Sequence, residues 1–190
     1  MDTCRVITAS DIQLLTKASF AAFGDVIEAV PDSEFISINY GHTQRFHDLA
    51  TIDTMSNDGN AIVNIFRSTP LTFPMALTVM ERHPLGSQLF FPLSDEPYLV
   101  IVAPAGEFNQ QRLKIFLASH GRHRQGVNYA KGTWHHFCLA LNTTSDFLVI
   151  DRAGSGNNCD EQSLNPALSI AADTVSSILA LTDKNEKEAT

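Results

Sequence analysis

The sequence predicts a mostly-β protein, a jelly-roll sandwich or barrel with a short helix near its start and another near its end. Two observations carry this. Between residues 25 and 151 the chain runs in short apolar segments broken by Gly, Pro, Asn, Asp and Ser, the pattern of short strands joined by turns. No stretch between them has room for the crossover helix of about a dozen residues that a βαβ sheet needs. The length, 190 residues, matches one domain of ordinary size, on the order of 100–200 residues.

The first helix is signalled by Thr16 as its cap, by Leu15 and Phe20 as a hydrophobic staple and by Gly24 as a left-handed terminator. Strands are then expected over 25–30, 35–40, 61–67, 76–83, 88–93, 98–102, 113–117, 125–129, 136–141 and 146–151. The fully apolar runs Leu99-Val100-Ile101-Val102 and Phe147-Leu148-Val149-Ile150 imply strands covered on both faces. Near the end, Asn165-Pro166 reads as a cap and first helical position, with Leu168, Ala171, Val175, Ile178 and Leu179 on one helical face. Residues 183–190 are charged and lack large apolar side chains, so a frayed tail is expected there. The chain therefore divides into a barrel over 1–160 and a helical extension with a tail over 161–190, within one domain.

Composition narrows the function classes. Hydrophobic residues make up 44% against 18% charged, enough to build a core. With 13 basic and 21 acidic residues the net charge is −8, which disfavours a phosphate backbone as partner, so no nucleic acid is expected. No run approaches the roughly 18 apolar residues of a membrane span. Residues 1–15 include Asp2 and Asp11 and lack an apolar core segment, so no signal peptide is expected. Cys4, Cys138 and Cys159 stand far apart, a sparse, odd set that suits a reducing compartment. Gly154-Ser155-Gly156 runs on into Asn157-Asn158-Cys159 without the third glycine of a dinucleotide fingerprint, and there is no phosphate-binding loop, nucleophile elbow or internal repeat.

Chemistry is concentrated in two segments. In Glu81-Arg82-His83-Pro84-Leu85-Gly86-Ser87-Gln88, Glu81 and His83 are two apart and so share a face of an extended strand. Pro84 and Gly86 make a turn that can fold Gln88 back beside them. In Gly132-Thr133-Trp134-His135 a histidine follows a glycine turn. One carboxylate, two imidazoles and an amide oxygen suit a divalent cation; a hydrogen-bonded cluster without metal is the alternative. His47 lies in a polar segment. Trp134 reads as a core or rim plug, Cys138 as a buried thiol without chemistry, and Asn142-Thr143-Thr144 as a glycosylation match with no secretory context.

These two segments resemble the paired motifs of the cupins, with Glu81 at the first histidine position, His83 at the second, Gln88 at the glutamate position and His135 at the last. Longer runs resemble one cupin family, ureidoglycolate lyase, also known as ureidoglycolate hydrolase. They are Arg45-Phe46-His47-Asp48-Leu49-Ala50, residues 81–92, Gly126-Val127-Asn128-Tyr129, Thr133-Trp134-His135-His136, residues 146–152 and Asn157-Asn158-Cys159-Asp160. The resemblance spans roughly residues 23–160, leaving the two ends outside it. It implies a cupin-like jelly-roll barrel and a cytoplasmic homodimeric enzyme that splits ureidoglycolate into glyoxylate and urea, with nickel or manganese as the candidate metal on Glu81, His83, Gln88 and His135.

The residue types suit that reaction. His83, His135 and His47 are the candidates for moving a proton from the substrate hydroxyl to the departing urea nitrogen. Arg45, Arg67 and Arg152 are the candidates for holding the substrate carboxylate in a two-pronged pair, which the guanidinium fork makes better than an ammonium. The competing expectations are a non-catalytic cupin-like protein that binds a small carboxylate, and a different cupin enzyme.

Overall fold

The computed structural model describes residues 5–30, 33–119 and 123–188, with 181–188 as backbone alone. The chain opens with β1 (Arg5–Ile7), β2 (Ile12–Leu14) and α1 (Lys17–Phe20), then β3 (Gly24–Glu28) and the hairpin β4 (Ile36–Ile38) and β5 (Thr43–Arg45). The longer strands follow: β6 (Asn60–Ser68), β7 (Met75–Arg82), β8 (Gln88–Pro92), β9 (Tyr98–Ala103), β10 (Lys114–Ala118) and β11 (Gln125–Tyr129). After the short β12 (Trp134–His135) and β13 (Leu139–Ala140) come β14 (Ser145–Ala153), β15 (Asp160–Ile170) and α2 (Ala172–Glu188).

One sheet has eight strands in the order β1-β15-β7-β12-β9-β10-β2, with β13 also paired to β9; the facing sheet has five, β3-β11-β8-β14-β6. Together they make the cupin-like jelly roll. Phe20, Phe90, Val100, Val102, Phe116, Val127, Tyr129, Phe147 and Val149 fill the space between the sheets. A second core lies on the outer face of the larger sheet, where Leu99, Ile101, Ile115, Leu117, Leu168 and Ile170 meet Val175 and Ile178 of α2. Strand β9 is therefore buried along its whole length, as its unbroken apolar run requires. Strand β14 alternates instead: Phe147 and Val149 are buried while Leu148 and Ile150 are half-buried, so its outer face is not covered by a layer of this chain.

Several local expectations are corrected. The Thr16 hydroxyl does cap α1, accepting from the Ser19 backbone N–H, and Leu15 and Phe20 are buried in one cluster. But Gly24 does not end that helix. It opens β3 at φ +144°, where a Cβ would stand 1.9 Å from the Asn128 carbonyl oxygen, so the glycine is needed for close approach of two strands. The expected strand over 136–141 is reduced to β13; residues 136–138 lie between β12 and β13 outside either strand, with the His136 N–H on the Ile101 carbonyl. The expected strand over 35–40 ends at Ile38, as Asn39 and Tyr40 turn through left-handed backbone.

The largest correction is at the C-terminus. Asn165-Pro166 does not start a helix; it lies inside β15, in the stretch where pairing with β7 shifts register between Ser163 and Leu168. Proline has no N–H to give the ladder, and an irregular stretch tolerates it. Strand β15 also pairs in parallel with β1, so residues 160–170 complete the larger sheet. The helix starts at Ala172, and its backbone continues through Glu188 where fraying was expected. Residues 189 and 190, like Cys4, lie outside the described residues.

Candidate active site

The site forms where β7 runs out beside β12. His135 is the direct antiparallel partner of Glu81, so both side chains leave the sheet on one face. Beyond β7 the chain turns at His83, and β8 begins with Gln88, whose amide oxygen stands 3.1 Å from His83 Nε2. The turn is tied down twice by one residue: Leu85 donates its N–H to Asn158 Oδ1 at 2.8 Å, and His83 Nδ1 donates to the Asn158 carbonyl at 2.5 Å. Gly132, at φ +81°, makes the turn that returns the chain to β12, and its N–H reaches the His83 carbonyl at 3.0 Å.

Both imidazoles are oriented by backbone carbonyls. His135 Nδ1 donates to the Thr133 carbonyl at 3.0 Å, as His83 Nδ1 does to Asn158. A carbonyl oxygen only accepts, so Nδ1 carries a proton in each ring; the His135 Nε2 is left without a partner, while the His83 Nε2 is paired with the Gln88 amide. His135 is 1% exposed and stacks on the Tyr129 ring, 4.3 Å between centroids and 10° from parallel. Its Nε2 has no hydrogen-bond partner; the nearest group is Glu81 Oε1, 3.5 Å away. A hydrogen bond from His135, which forms when its Nε2 is protonated, holds the Glu81 carboxyl below its ordinary range against the opposing effect of burial, so Glu81 is an anion at neutral pH.

One unpartnered nitrogen on His135, the Glu81 carboxylate and the hydrogen-bonded His83–Gln88 pair therefore converge. The His135 Nε2 facing a carboxylate oxygen is completed by a cation, either a proton on the ring or a metal ion. The ligand atoms of Glu81, His83 and His135 lie within 4.8 Å of one another, a spacing that a divalent ion can draw together. The orphaned, buried His135 Nε2 is the observation that makes this donor set fit a metal.

The other candidates fall elsewhere. Arg67 is on β6, exposed, with its fork on the Asp146 carboxylate at 2.7 and 2.8 Å. Arg152 is buried, and its fork is also filled: Nε and Nη2 donate to the Ser56 carbonyl at 2.9 and 2.6 Å, and Nη2 also reaches the Ser155 carbonyl at 2.9 Å. Both forks are thus occupied within the chain, against the expectation of a free carboxylate anchor. Arg45 is exposed on the β4–β5 hairpin, and no carboxylate among the described residues pairs with it. His47 lines a separate cavity of about 400 Å³ with Lys17, Asp25, Glu34 and Asp48, so the structure does not bring it to His83 and His135.

Sequence reasoning did not single out Asn158, Thr133 or Tyr129 as parts of the site, although all three stand in the family-like runs. Asn158 contributes its backbone carbonyl and its side-chain oxygen, Thr133 a backbone carbonyl and Tyr129 a ring face, and of these only the Asn158 side chain depends on residue type. Trp134 is a buried plug, as expected, with Phe108 at its edge and the Arg82 guanidinium 4.6 Å above its ring. Burial pushes the Cys138 thiol up to about 12, which leaves it unreactive.

Comparison with known proteins agrees with this geometry. A family profile described as ureidoglycolate lyase matches residues 7–171, further at both ends than the motifs alone suggested, and it stops where α2 begins. A ureidoglycolate lyase of Burkholderia mallei (strain NCTC 10229) is 51% identical over 164 residues, 86% of this chain and 94% of its own. Proteins of the same name from Pseudomonas putida (strain W619) and Pseudomonas aeruginosa (strain LESB58) are 51% and 50% identical, each over 150 residues, 79% of this chain and 88% and 87% of theirs. The carboxylate and two histidines at the mouth of the jelly roll are thus set in a sequence that matches one family almost from end to end, and the chain belongs to the ureidoglycolate lyase family.

Proposed function

We propose that the protein is a carbon–nitrogen lyase that cleaves ureidoglycolate to glyoxylate and urea, with His83 and His135 as its proton-moving groups. The observation that carries this is the pair of imidazoles whose Nδ1 protons are fixed on carbonyls, with the His135 Nε2 left unpartnered beside the Glu81 carboxylate and the His83 Nε2 on the Gln88 amide. One Nε2 takes the proton of the substrate hydroxyl. The oxygen lone pair then forms the aldehyde C=O, the carbon–nitrogen bond breaks with its electrons on the urea nitrogen, and the same proton is delivered there. Reactants and products balance without water or an oxidant. Imidazole suits both proton transfers near neutral pH.

Glu81, His83 and His135, with Gln88 as a neutral fourth group, would hold a divalent transition ion such as nickel or manganese; an imidazole that ligates it through Nε2 would then not carry the proton, and the ion would supply Lewis acidity toward a substrate oxygen in its place. Activity should fall reversibly on chelation and return with either metal. Full activity after exhaustive chelation, with no metal by elemental analysis, would leave the four residues as a hydrogen-bonding cluster. For the substrate carboxylate, Arg45 is the one arginine of the three candidates whose fork is not filled by a group of the described residues.

The enzyme works as a cytoplasmic homodimer, with residues 1–160 carrying the catalysis. What supports the dimer is the outer face of the five-stranded sheet, where Val63 and Ile65 of β6 are 67% and 55% exposed beside the half-buried Leu148 and Ile150 of β14. An apolar face of this kind is covered in stable proteins, and a second copy offers the matching surface. Val63→Asp should convert the dimer to a monomer by light scattering. An unchanged dimer mass in that variant would place the interface elsewhere.

A further inference from the structure

We infer that Arg45 serves the active site of a second copy of this chain. The β4–β5 hairpin is an arm that crosses the dimer interface and sets the Arg45 guanidinium on the substrate carboxylate in the other copy's barrel mouth. The inference rests on the proposed lyase activity and homodimer. Strands β4 and β5 pair only with each other, and no residue from 34 to 48 is buried. Yet the arm carries Phe35, Ile36 and Tyr40, all exposed. A two-stranded hairpin alone is marginally stable at best, and exposed apolar side chains gathered on one element mark a surface that meets a partner.

The fold offers a second unpartnered surface where a two-fold axis needs it. Strands β3 and β6 are the two edges of the five-stranded sheet. The arm leaves from the β3 edge, since Glu34, Phe46 and His47 line one cavity with Gly24 and Asp25, where β3 begins. The chain then returns across the outer face of that sheet. The Thr51 carbonyl accepts from Asn128 Nδ2, and Asn128 points outward because its neighbours Val127 and Tyr129 point into the core. Asp53 donates its N–H to Ser87 Oγ just ahead of β8, and the Ser56 carbonyl meets Arg152 of β14. The path ends in β6, a nine-residue edge strand with Ile62, Val63, Ile65 and Phe66 exposed. A two-fold axis parallel to the strands lays each arm on the other copy's β6 and keeps both barrel mouths at the same end. It joins the two apolar surfaces and covers an edge strand that would otherwise invite uncontrolled pairing.

The site has the complementary need. Ureidoglycolate carries a carboxylate, and the groups that converge on His135 are a carboxylate, an imidazole and an amide, with no guanidinium. Among the described residues, Arg5, Arg67, Arg82 and Arg124 are each held by an aspartate, Arg152 by loop carbonyls, and Arg112 lines a groove beside β15 with Ser163 and Asn165. Arg45 ends β5 on the exposed arm, with no carboxylate of the described residues on its fork. A two-pronged pair with the substrate fills it.

The test is complementation between two impaired variants. Arg45→Ala should raise KM by about 100-fold with a smaller effect on kcat, because a charged pair to the substrate is lost. His135→Gln supplies no titrating nitrogen. Co-expressed, the two chains form mixed dimers in which one mouth has both His135 and Arg45, so the mixture should regain about a quarter of wild-type activity at low substrate. If each Arg45 served its own chain, no mixed dimer would hold a complete site. A mixture as inactive as its parents, or an unchanged KM in Arg45→Ala, would overturn the inference. A second measurement does not depend on the reaction: Ile36→Asp, on the arm, should give folded monomers by circular dichroism and light scattering. A persistent dimer in that variant would remove the arm from the interface. A wild type that leaves ureidoglycolate intact would count against the lyase reading instead, and the mass of Ile36→Asp would still decide the arm.

Discussion

Replacing His135 with alanine should lower kcat/KM by a factor of about 100 or more, the usual loss for a proton-transfer or metal-anchoring group. The effect should fall mainly on kcat, because in the proposed reaction the His135 Nε2 acts on the reacting atoms. His135 is also a buried ring stacked on Tyr129, so His135→Ala leaves a cavity, and a loss of fold must be separated from a loss of chemistry. His135→Gln serves that purpose. It fills much of the space but supplies no titrating nitrogen, and it should remain folded and nearly inactive. Turnover close to wild type in either variant would remove His135 from the reaction.

Arg152→Ala should destabilise the protein by about 3 kcal/mol, since it removes a buried side chain together with its charged hydrogen bonds to the Ser56 and Ser155 carbonyls. For a domain of this size that lowers Tm by about 6–12 °C. The side chain threads a space kept open by glycines: a Cβ on Gly59 would lie 2.3 Å from its Nε, and one on Gly154 would lie 2.8 Å from its Nη2. Its guanidinium clamps the Ser56 and Ser155 carbonyls, joining the loops before β6 and after β14. Arg152→Lys keeps the charge but loses the fork, so it should fall between wild type and alanine. A thermal scan alongside KM separates this role from substrate binding. An unchanged Tm with a raised KM would mean that Arg152 holds the carboxylate after all.

Where one face or one period dominated, the structure was legible in the sequence. The apolar run of β9 announced a strand buried on both sides, and the Thr16 cap with its Leu15–Phe20 staple announced α1. The four polar positions 81, 83, 88 and 135 could be read as one cluster because strand alternation and two glycine or proline turns determine where they point. Strands β1 and β2 were missed because each is three residues long and pairs in parallel with a distant edge, which leaves too little pattern to read. Strand β15 was missed because Asn165-Pro166 mimics a helix start, and only the pairing with β7 shows the chain to be extended there.

The arginines teach a different lesson. Arg67, Arg152 and Arg45 are alike as residue types, and their sequence positions gave each a claim on the substrate. What separates them is what already fills each fork: a carboxylate across the β6–β14 ladder for Arg67, loop carbonyls for Arg152 and no carboxylate of the described residues for Arg45. Asp146 is 79 positions from Arg67 and Ser56 is 96 from Arg152, beyond the reach of local pattern. Asn158 is similar, since it organises the site by way of its backbone carbonyl, 75 positions from His83.

Cleavage of the carbon–nitrogen bond of ureidoglycolate to glyoxylate and urea is the central claim, and the products of a single incubation test it most directly. Purified protein given ureidoglycolate should release glyoxylate and urea in equal amounts, with no ammonia, and His135→Gln at the same concentration should release neither. Release of ammonia in place of urea would mean hydrolysis of the ureido group and a different reaction at this site. Absence of both products from the folded, metal-supplied wild type would contradict the assignment of the activity itself.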